Sequence, residues 1–237
     1  MARGRKCIGI IAGSGPEAGI DLWQKILDAN RDALGPAFRG DLDAPDMVIV
    51  SQSRLGLSMD LEARSDEVWS CLEGCVREIA ERTDYFAIAC NTLHHYAPRI
   101  AALSLPAPLV SIVDVVARYL GRLDGTPATL LGSASVMGLG VHSPYAALAR
   151  RFAVDAPAAL VDEVHALIHA VKRSGGNSPA IVRKFRSILA RIHTPVAILA
   201  CTELPLIPVR TKRLRLVDAN RLLATELVRR LGKPARD

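Results

Sequence analysis

Short apolar runs alternate with amphipathic segments along the whole chain, and few folds accommodate such an alternation. The runs lack the every-second-residue polar pattern of a half-exposed strand, which is typical of parallel strands that are covered on both faces. The predicted strands are residues 7–11, 47–51, 85–89, 109–112, 129–131, 196–200 and 214–217. Segments that open at Pro16 and at Pro179 carry apolar residues at helical spacing. The sequence therefore predicts an α/β fold with parallel sheets.

Composition excludes several classes of protein. Half of the 237 residues are hydrophobic and 23% are charged, which excludes a disordered chain. No apolar run approaches the 18 or so residues that a membrane-spanning helix needs, so no membrane partner is expected. The net charge of +6 lies in residues 210–237, where leucines recur at helical spacing and aromatic residues are absent. This pattern favours the solvated face of a terminal helix over a nucleic-acid or lipid surface.

The five cysteines are an odd number without the spacing of a disulfide framework, which predicts a reducing, cytoplasmic location. The apolar run after the basic start of the chain ends after seven residues without a cleavage pattern, so we interpret it as a strand and not as a signal peptide. Cys71 and Cys75 have the spacing of two metal ligands on one helix face. No further pair completes a ligand set, so helix packing and no metal site are predicted.

A weak internal repeat divides the chain into two halves. In the first half, a strand that ends at Gly13 is followed 77 residues later by Cys90, and in the second, Gly132 is followed 69 residues later by Cys201. Each cysteine ends a strand and precedes polar residues. The repeat predicts two similar lobes with a crossing at the proline-rich residues 104–108, and places both cysteines at the strand ends where open α/β sheets bind ligands. Chance similarity between two buried strands is the competing interpretation.

Two thiols in matched settings suggest acid–base chemistry. Cys90 is predicted to begin a helix over residues 91–102, whose dipole favours the reactive thiolate. The competing interpretation treats Cys90 and Cys201 as small buried hydrophobic residues, but the matched pair favours reactivity. With a small ligand between them, one sulfur removes a proton from a carbon atom and the other delivers a proton to the opposite face, which inverts a stereocentre.

Such a reaction develops enolate charge that needs hydrogen-bond donors already in place. Candidate donors are the backbone N–H groups of the turns at residues 13–15 and 132–134, together with the side chains of Asn91, Thr92 and Thr202. The scheme requires no cofactor.

Three motifs carry a resemblance to a known family. Residues 12–18 (AGSGPEA) resemble a Gly-Gly-Met-Gly-Pro-Glu-Ala signature, residues 90–94 (CNTLH) resemble Cys-Asn-Thr-Ala-His, and residues 200–204 (ACTEL) resemble a second motif, Gly-Cys-Thr-Glu. These are the motifs of the aspartate/glutamate racemases that work without pyridoxal phosphate, in their aspartate racemase branch. The motifs occur in family order and at family spacings, and together they cover most of the chain. The sequence is therefore identified as a member of this family.

The resemblance implies two pseudo-symmetric lobes, each a parallel sheet flanked by helices, with the active site in the cleft between them. The first lobe would comprise residues 1–105 plus 213–237, because the family's C-terminal strand and helix pack back on it, and the second would comprise residues 106–212. Cys90 and Cys201 would be the two catalytic bases. The resemblance implies a homodimer that racemises a small acidic amino acid, aspartate or glutamate, without a cofactor; the cysteines and the C-terminal charge pattern add the expected cytoplasmic location and the absence of a nucleic-acid partner.

The resemblance also implies a set of substrate-binding residues. They are Ser14, Arg54, Asn91, Thr92, Ser133, Ser135, Lys172, Thr202 and Glu203. Among them, Arg54 and Lys172 would be the charged substrate anchors. Three positions depart from the family pattern, since Ala12 and Ser14 replace Gly and Met and Leu93 replaces Ala, and these changes would alter the shape of the pocket. His94 matches its motif, but capping or core packing is predicted for it.

Other functions remain open at this point. Residues 13–18 fit the loose glycine fingerprint of dinucleotide-binding enzymes, although Pro16 removes an N–H that could meet a pyrophosphate and no acidic residue ends the second predicted strand. A non-catalytic protein that binds small acids could use the same scaffold. Hydantoin racemases and maleate isomerases share the two-cysteine site. Retention of both cysteines favours catalysis.

Overall fold

The computed structural model describes residues 5–232. The strands are β1 (Cys7–Ala12), β2 (Asp46–Ser51), β3 (Tyr85–Ile88), β4 (Ala128–Gly132), β5 (Val154–Asp155), β6 (Val196–Ala200) and β7 (Arg215–Asp218). The helices are α1 (Pro16–Leu34), α2 (Leu61–Ala80), α3 (Ala97–Ala101), α4 (Ile112–Leu120), α5 (Ala134–Met137), α6 (Ala146–Arg151), α7 (Val161–Ser174), α8 (Pro179–Ala190) and α9 (Ala219–Leu231). Predictions for residues 1–4 and 233–237 lie outside the described residues.

Two parallel sheets form the framework of the fold. The first has the strand order β2-β1-β3 and the second the order β5-β4-β6-β7. Helices α1, α4 and α9 lie between the sheets, while α2 covers the outer face of the first sheet and α7 and α8 cover the outer face of the second. Alternation along a strand explains the layers, because Ile8 and Ile10 enter the shared inner core and Ile11 packs under α2. The predicted α/β fold with flanked parallel sheets is confirmed.

Six of the seven predicted strands match observed strands to within one residue at each end. The exception is residues 109–112, where Leu109 makes only an isolated bridge to Phe86. Helix α4 begins at Ile112, because the Ser111 hydroxyl accepts a hydrogen bond from the Asp114 N–H and caps the helix. Strand β5 has only two residues, which is too short for a hydrophobic pattern to reveal.

The predicted helix over residues 91–102 is wrong. The chain instead forms a 3₁₀ helix at Thr92–Tyr96 and the five-residue α3. His94 organises this region, since its ring bonds the Cys90 carbonyl oxygen through Nδ1 (2.8 Å) and accepts the Ile112 N–H at Nε2 (3.1 Å). Cys90 therefore does not lie at the start of a long helix, and side chains, not a helix dipole, define its surroundings.

The C-terminal elements correct part of the predicted lobe division. Strand β7 pairs with β6, so it belongs to the second sheet and not to the first lobe. Helix α9 packs against α1 and α4 in the layer between the sheets, which agrees with its expected position beside the first lobe. The remaining lobe boundaries stay a prediction. Among the described residues, none of the helices combines the length and apolarity needed to cross a bilayer.

Gly13, directly after β1, allows the chain to turn sharply at the carboxyl end of this strand. Gly13 has a φ of 111°, and a Cβ atom there would lie 2.2 Å from the backbone oxygen of Gln52. We expect Gly13→Ala to lower the free energy of unfolding by at least about 1–3 kcal/mol, because backbone strain adds to a contact that cannot relax by side-chain movement. Gly74→Ala is the control, since Gly74 is helical with open space around it and should gain up to about 1 kcal/mol. Urea unfolding measures both, and equal stabilities would contradict the prediction.

Candidate active site

Residues that follow the carboxyl ends of β1, β3, β4 and β6 meet around one pocket. Cys90 follows β3 by two residues and Cys201 follows β6 directly, and each cysteine is 7% exposed. The lining residues are Ser14, Met59, Cys90, Asn91, Thr92, Ser133, Lys172, Ala200, Cys201, Thr202 and Glu203. The cavity of about 10 Å³ has room for about one water molecule. An amino acid therefore enters only when the surrounding groups move apart.

Hydroxyl groups surround Cys90. Its Sγ donates a hydrogen bond to the Ser14 Oγ at 3.3 Å, and the Ser14 Oγ lies 2.7 Å from the Ser58 Oγ. Ser14 occupies the turn after β1, between two glycines with positive φ angles. The turn therefore holds a neutral, polar side chain against the first sulfur.

An acidic side chain lies beside Cys201 and affects the pKa of its thiol. The Cys201 Sγ donates to the Glu203 Oε2 at 2.9 Å, and the Thr202 hydroxyl donates to the same oxygen at 3.2 Å. Burial of the thiol raises its pKa well above the ordinary value, and the charge of Glu203 and its hydrogen bond raise it further. Cys201 is accordingly a thiol at neutral pH, with its proton directed toward a carboxylate.

Lys172 joins the two lobes at the pocket. Its Nζ donates to the Glu203 Oε1 at 2.5 Å and to the backbone oxygen of Ser14 at 2.8 Å. Burial lowers the pKa of Lys172, but the charge and hydrogen bond of Glu203 outweigh burial and leave the pKa above its usual value. A Cβ atom on Gly15 would lie 2.1 Å from the Glu203 Oε1, so only glycine permits this approach.

Two further hydrogen bonds cross between the lobes. The Thr92 Oγ1 lies 2.9 Å from the Ser133 Oγ, and the Tyr145 phenol donates to the Asn91 Oδ1 at 2.6 Å. The Asn91 Nδ2 is buried and has no hydrogen-bond partner within residues 5–232. Asn91, Thr92 and Ser133 thus line the same pocket as the two cysteines.

His94 supports the site without lining it. Burial lowers the pKa of His94 to about 4, so the ring is neutral at physiological pH. Its two ring nitrogens are both used, one by the Cys90 carbonyl oxygen and one by the Ile112 N–H. These bonds agree with the predicted packing role and hold the turn that carries Cys90.

The pocket brings together nine of the eleven predicted site residues. Arg54 is not among them: its side chain is 63% exposed and its guanidinium pairs with Glu67 at 2.7 Å. Arg54 lies in the 3₁₀ helix Ser53–Asp60 after β2 and does not line the pocket, so its role as a substrate anchor stays a prediction. Ser135 lies on α5 and does not line the pocket either, because Ser133 occupies the turn position that faces it.

Three residues in or beside the pocket were not predicted from the sequence. Ser58 and Met59 belong to the segment after β2, and the general rule that ligands bind beyond strand ends pointed to this segment without identifying either residue. Tyr145 reaches Asn91 from 54 residues away in the sequence, and no local pattern signals such a contact.

The charge of Glu203 should be measurable in the titration of Cys201. We expect Glu203→Gln to lower the pKa of Cys201, because the variant removes the negative charge and leaves the Lys172 ammonium to stabilise the thiolate. Alkylation by iodoacetamide as a function of pH, resolved by peptide mass spectrometry, separates Cys201 from the other cysteines. The Cys201 profile should move to lower pH while that of Cys75, on the far face of the first sheet, stays fixed. An unchanged Cys201 profile would contradict the assignment.

Comparisons with known proteins agree with this geometry. The model of a family described as Asp/Glu/Hydantoin racemase matches residues 11–227. The broad specificity amino-acid racemase RacX of Bacillus subtilis is 31% identical over 108 residues, which are 45% of this chain and 46% of RacX. The chain thus matches about half the length of that curated relative.

Solved structures share the fold across nearly the whole chain. The aspartate racemase of Picrophilus torridus has a TM-score of 0.79 at 20% identity, with 98% of this chain and 96% of that chain covered. The glutamate racemase of Campylobacter jejuni has a TM-score of 0.69 at 15% identity, with 97% and 89% covered. These likenesses confirm the predicted two-lobed α/β architecture.

Proposed function

The chain belongs to the Asp/Glu/hydantoin racemase family, as its motifs indicated, and from that membership we propose that it is a cofactor-independent amino-acid racemase. One observation carries the proposal: Cys90 and Cys201, at equivalent strand ends of two lobes, line the same pocket. Two thiols on opposite sides of one bound carbon atom are what inversion by proton transfer requires.

Inversion at the α-carbon conserves protons. One sulfur enters as thiolate and takes the α-proton, while the opposite thiol donates its proton to the other face of the carbon atom. In the direction that starts with protonated Cys201, Cys90 is the base and Cys201 the acid, and the reaction ends with a Cys90 thiol and a Cys201 thiolate. Glu203 lies 2.9 Å from the Cys201 sulfur and can exchange a proton with it between turnovers.

Charge that develops on the substrate carboxylate needs donors that are already oriented. The Asn91 Nδ2 is available because it has no hydrogen-bond partner among the described residues, whereas the Oδ1 of the same amide accepts a hydrogen bond from Tyr145. The hydroxyl groups of Thr92, Ser133 and Thr202 line the same cavity. These donors stabilise the enolate by hydrogen bonds and carry no charge themselves.

The substrate class follows from the size and charge of the pocket. With Arg54 outside, Lys172 is the cationic residue among the lining residues, and it is already paired with Glu203. We propose a small amino acid as substrate, with aspartate first, because the Lys172 ammonium can exchange its bond to Glu203 for one to a side-chain carboxylate. The predicted homodimer, cytoplasmic location and lack of a nucleic-acid partner stay predictions.

Pairs of amino acids that are matched in shape test this assignment. Purified protein without added cofactor is incubated with L-aspartate, L-asparagine, L-glutamate or L-glutamine, and the D-enantiomers are separated by chiral chromatography. We expect D-aspartate to form faster than D-asparagine. Equal rates would contradict recognition of the side-chain carboxylate by Lys172. Conversion of maleate or a hydantoin with no amino acid racemised would contradict the proposed reaction.

A further inference from the structure

The two ends of the Asn91 amide have different surroundings. Its Oδ1 accepts a hydrogen bond from Tyr145, whereas its Nδ2 is buried and has no partner in the described part of the chain. Buried donors without partners are uncommon in folded proteins and are costly to maintain. Asn91 is 2% exposed and lines the pocket. The vacant donor is therefore explained most simply by a ligand in the pocket that accepts its hydrogen bond.

Tyr145 is held rigidly behind this amide. The residue is fully buried in the core between the two sheets and immediately precedes α6. Its backbone N–H donates to the Ser143 hydroxyl, which in turn donates to the Val136 carbonyl oxygen at 2.7 Å. Burial raises the pKa of Tyr145 far above its ordinary value, so the phenol keeps its proton across the working range of pH.

The two ends of an amide have nearly the same shape but opposite hydrogen-bonding roles. A rotation of the Asn91 amide by half a turn would present a carbonyl oxygen to a substrate carboxylate. It would also take the acceptor Oδ1 away from the buried Tyr145 phenol proton, so the Tyr145 hydrogen bond favours the observed orientation. We infer that Tyr145 is a positioning residue for the racemase site, whose phenol holds Oδ1 so that the Asn91 Nδ2 donates to the substrate carboxylate. This inference rests on the proposed function, since it concerns how that site binds its substrate.

The variant that tests the inference is Tyr145→Phe, because it keeps the buried ring and removes only the hydroxyl. We expect KM for the best amino-acid substrate to rise by about 10- to 100-fold, the range for hydrogen bonds to charged groups. The turnover number kcat should change less than KM, because the Asn91 Nδ2 already binds the carboxylate in the ground state and meets only the additional charge that develops in the transition state. Tyr85→Phe is the matched control: Tyr85 is also buried and donates to the Leu227 carbonyl oxygen, away from the pocket. Its KM should equal that of the parent.

A double-mutant cycle separates positioning from packing. In an Asn91→Ala background, Tyr145→Phe should raise KM no further, because no amide remains to be oriented. Additive effects of the two substitutions, or an unchanged KM in Tyr145→Phe, would overturn the inference and leave the proposed reaction intact.

Calorimetric titration with L-aspartate and L-asparagine distinguishes the two proposals. A parent protein that binds an amino acid without racemising it would contradict the proposed function alone. The double-mutant cycle of Tyr145→Phe and Asn91→Ala would then be measured as changes in Kd instead of KM. A parent protein that binds none of the amino acids tested would overturn both.

Discussion

Replacing Cys90 or Cys201 by alanine is expected to lower the rate of racemisation by about 10²- to 10⁴-fold, which is the usual contribution of a positioned acid or base. Each variant lacks one of the two proton-transfer groups, so each should fail in both directions of the reaction. Both side chains are small and buried at strand ends, and alanine fits either position without overpacking. The fold should therefore survive.

Cys71→Ala is the matched control for these variants. Cys71 is a free, half-buried cysteine on α2 and does not line the pocket. Chiral chromatography gives the initial rates from both enantiomers, and circular dichroism verifies the fold. A Cys90 or Cys201 variant that racemises at the parental rate would rule out the two-thiol scheme, whereas slow Cys71→Ala would indicate a general effect of losing a thiol.

Removal of Lys172 is expected to lower the stability of the protein substantially. Lys172→Met leaves the Glu203 carboxylate buried, with its side chain 4% exposed, and without its cation. Breaking a fully buried pair costs about 3–5 kcal/mol. Because the Lys172 side chain is 18% exposed, we expect a somewhat smaller loss of about 2–3 kcal/mol in the free energy of unfolding. Activity should fall as well, since Lys172 also bonds Ser14 across the lobes.

Urea unfolding at neutral pH measures this loss. The matched control is Lys184→Met, which breaks an ion pair with Glu163 in which the lysine side chain is 48% exposed, and which should cost at most about 1 kcal/mol. The double variant Lys172→Met/Glu203→Gln should recover part of the stability, because it leaves no uncompensated charge. Equal losses for Lys172→Met and Lys184→Met would contradict a buried, structural ion pair.

Local sequence patterns predicted the elements and motif residues that depend on local chemistry. Buried parallel strands produce unbroken apolar runs, so six strands were found, and both cysteines were placed at strand ends. The continuous helix predicted after Cys90 was wrong because the His94 ring bonds the carbonyl oxygen of Cys90, four residues before it, and the N–H of Ile112, eighteen residues after it. The strand predicted at residues 109–112 was wrong because Ser111 caps the start of α4, where the apolar run suggested a strand.

The directions of side chains and the contacts between distant residues could not be predicted from the sequence. Arg54 follows β2 as expected, but a 3₁₀ helix turns it toward Glu67. Tyr145 contacts Asn91 only because the two lobes meet. The pairing of Lys172 with Glu203 likewise depends on the approach of α7 to the end of β6, although the family resemblance implies a substrate-binding role for both residues.

The pattern of isotope incorporation tests the two-thiol mechanism most directly. The parent protein is incubated in deuterated water with L-aspartate, or with the better substrate from the matched pairs, and the reaction is stopped early. Proton NMR and mass spectrometry then give the deuterium content of the separated enantiomers. Transfer by two opposed thiols predicts deuterium at the α-carbon of the D-product and almost none in the recovered L-substrate. A D-product that retains the original α-proton would show that a single base moves it between faces, and would contradict the assignment of Cys90 and Cys201 as an opposed pair.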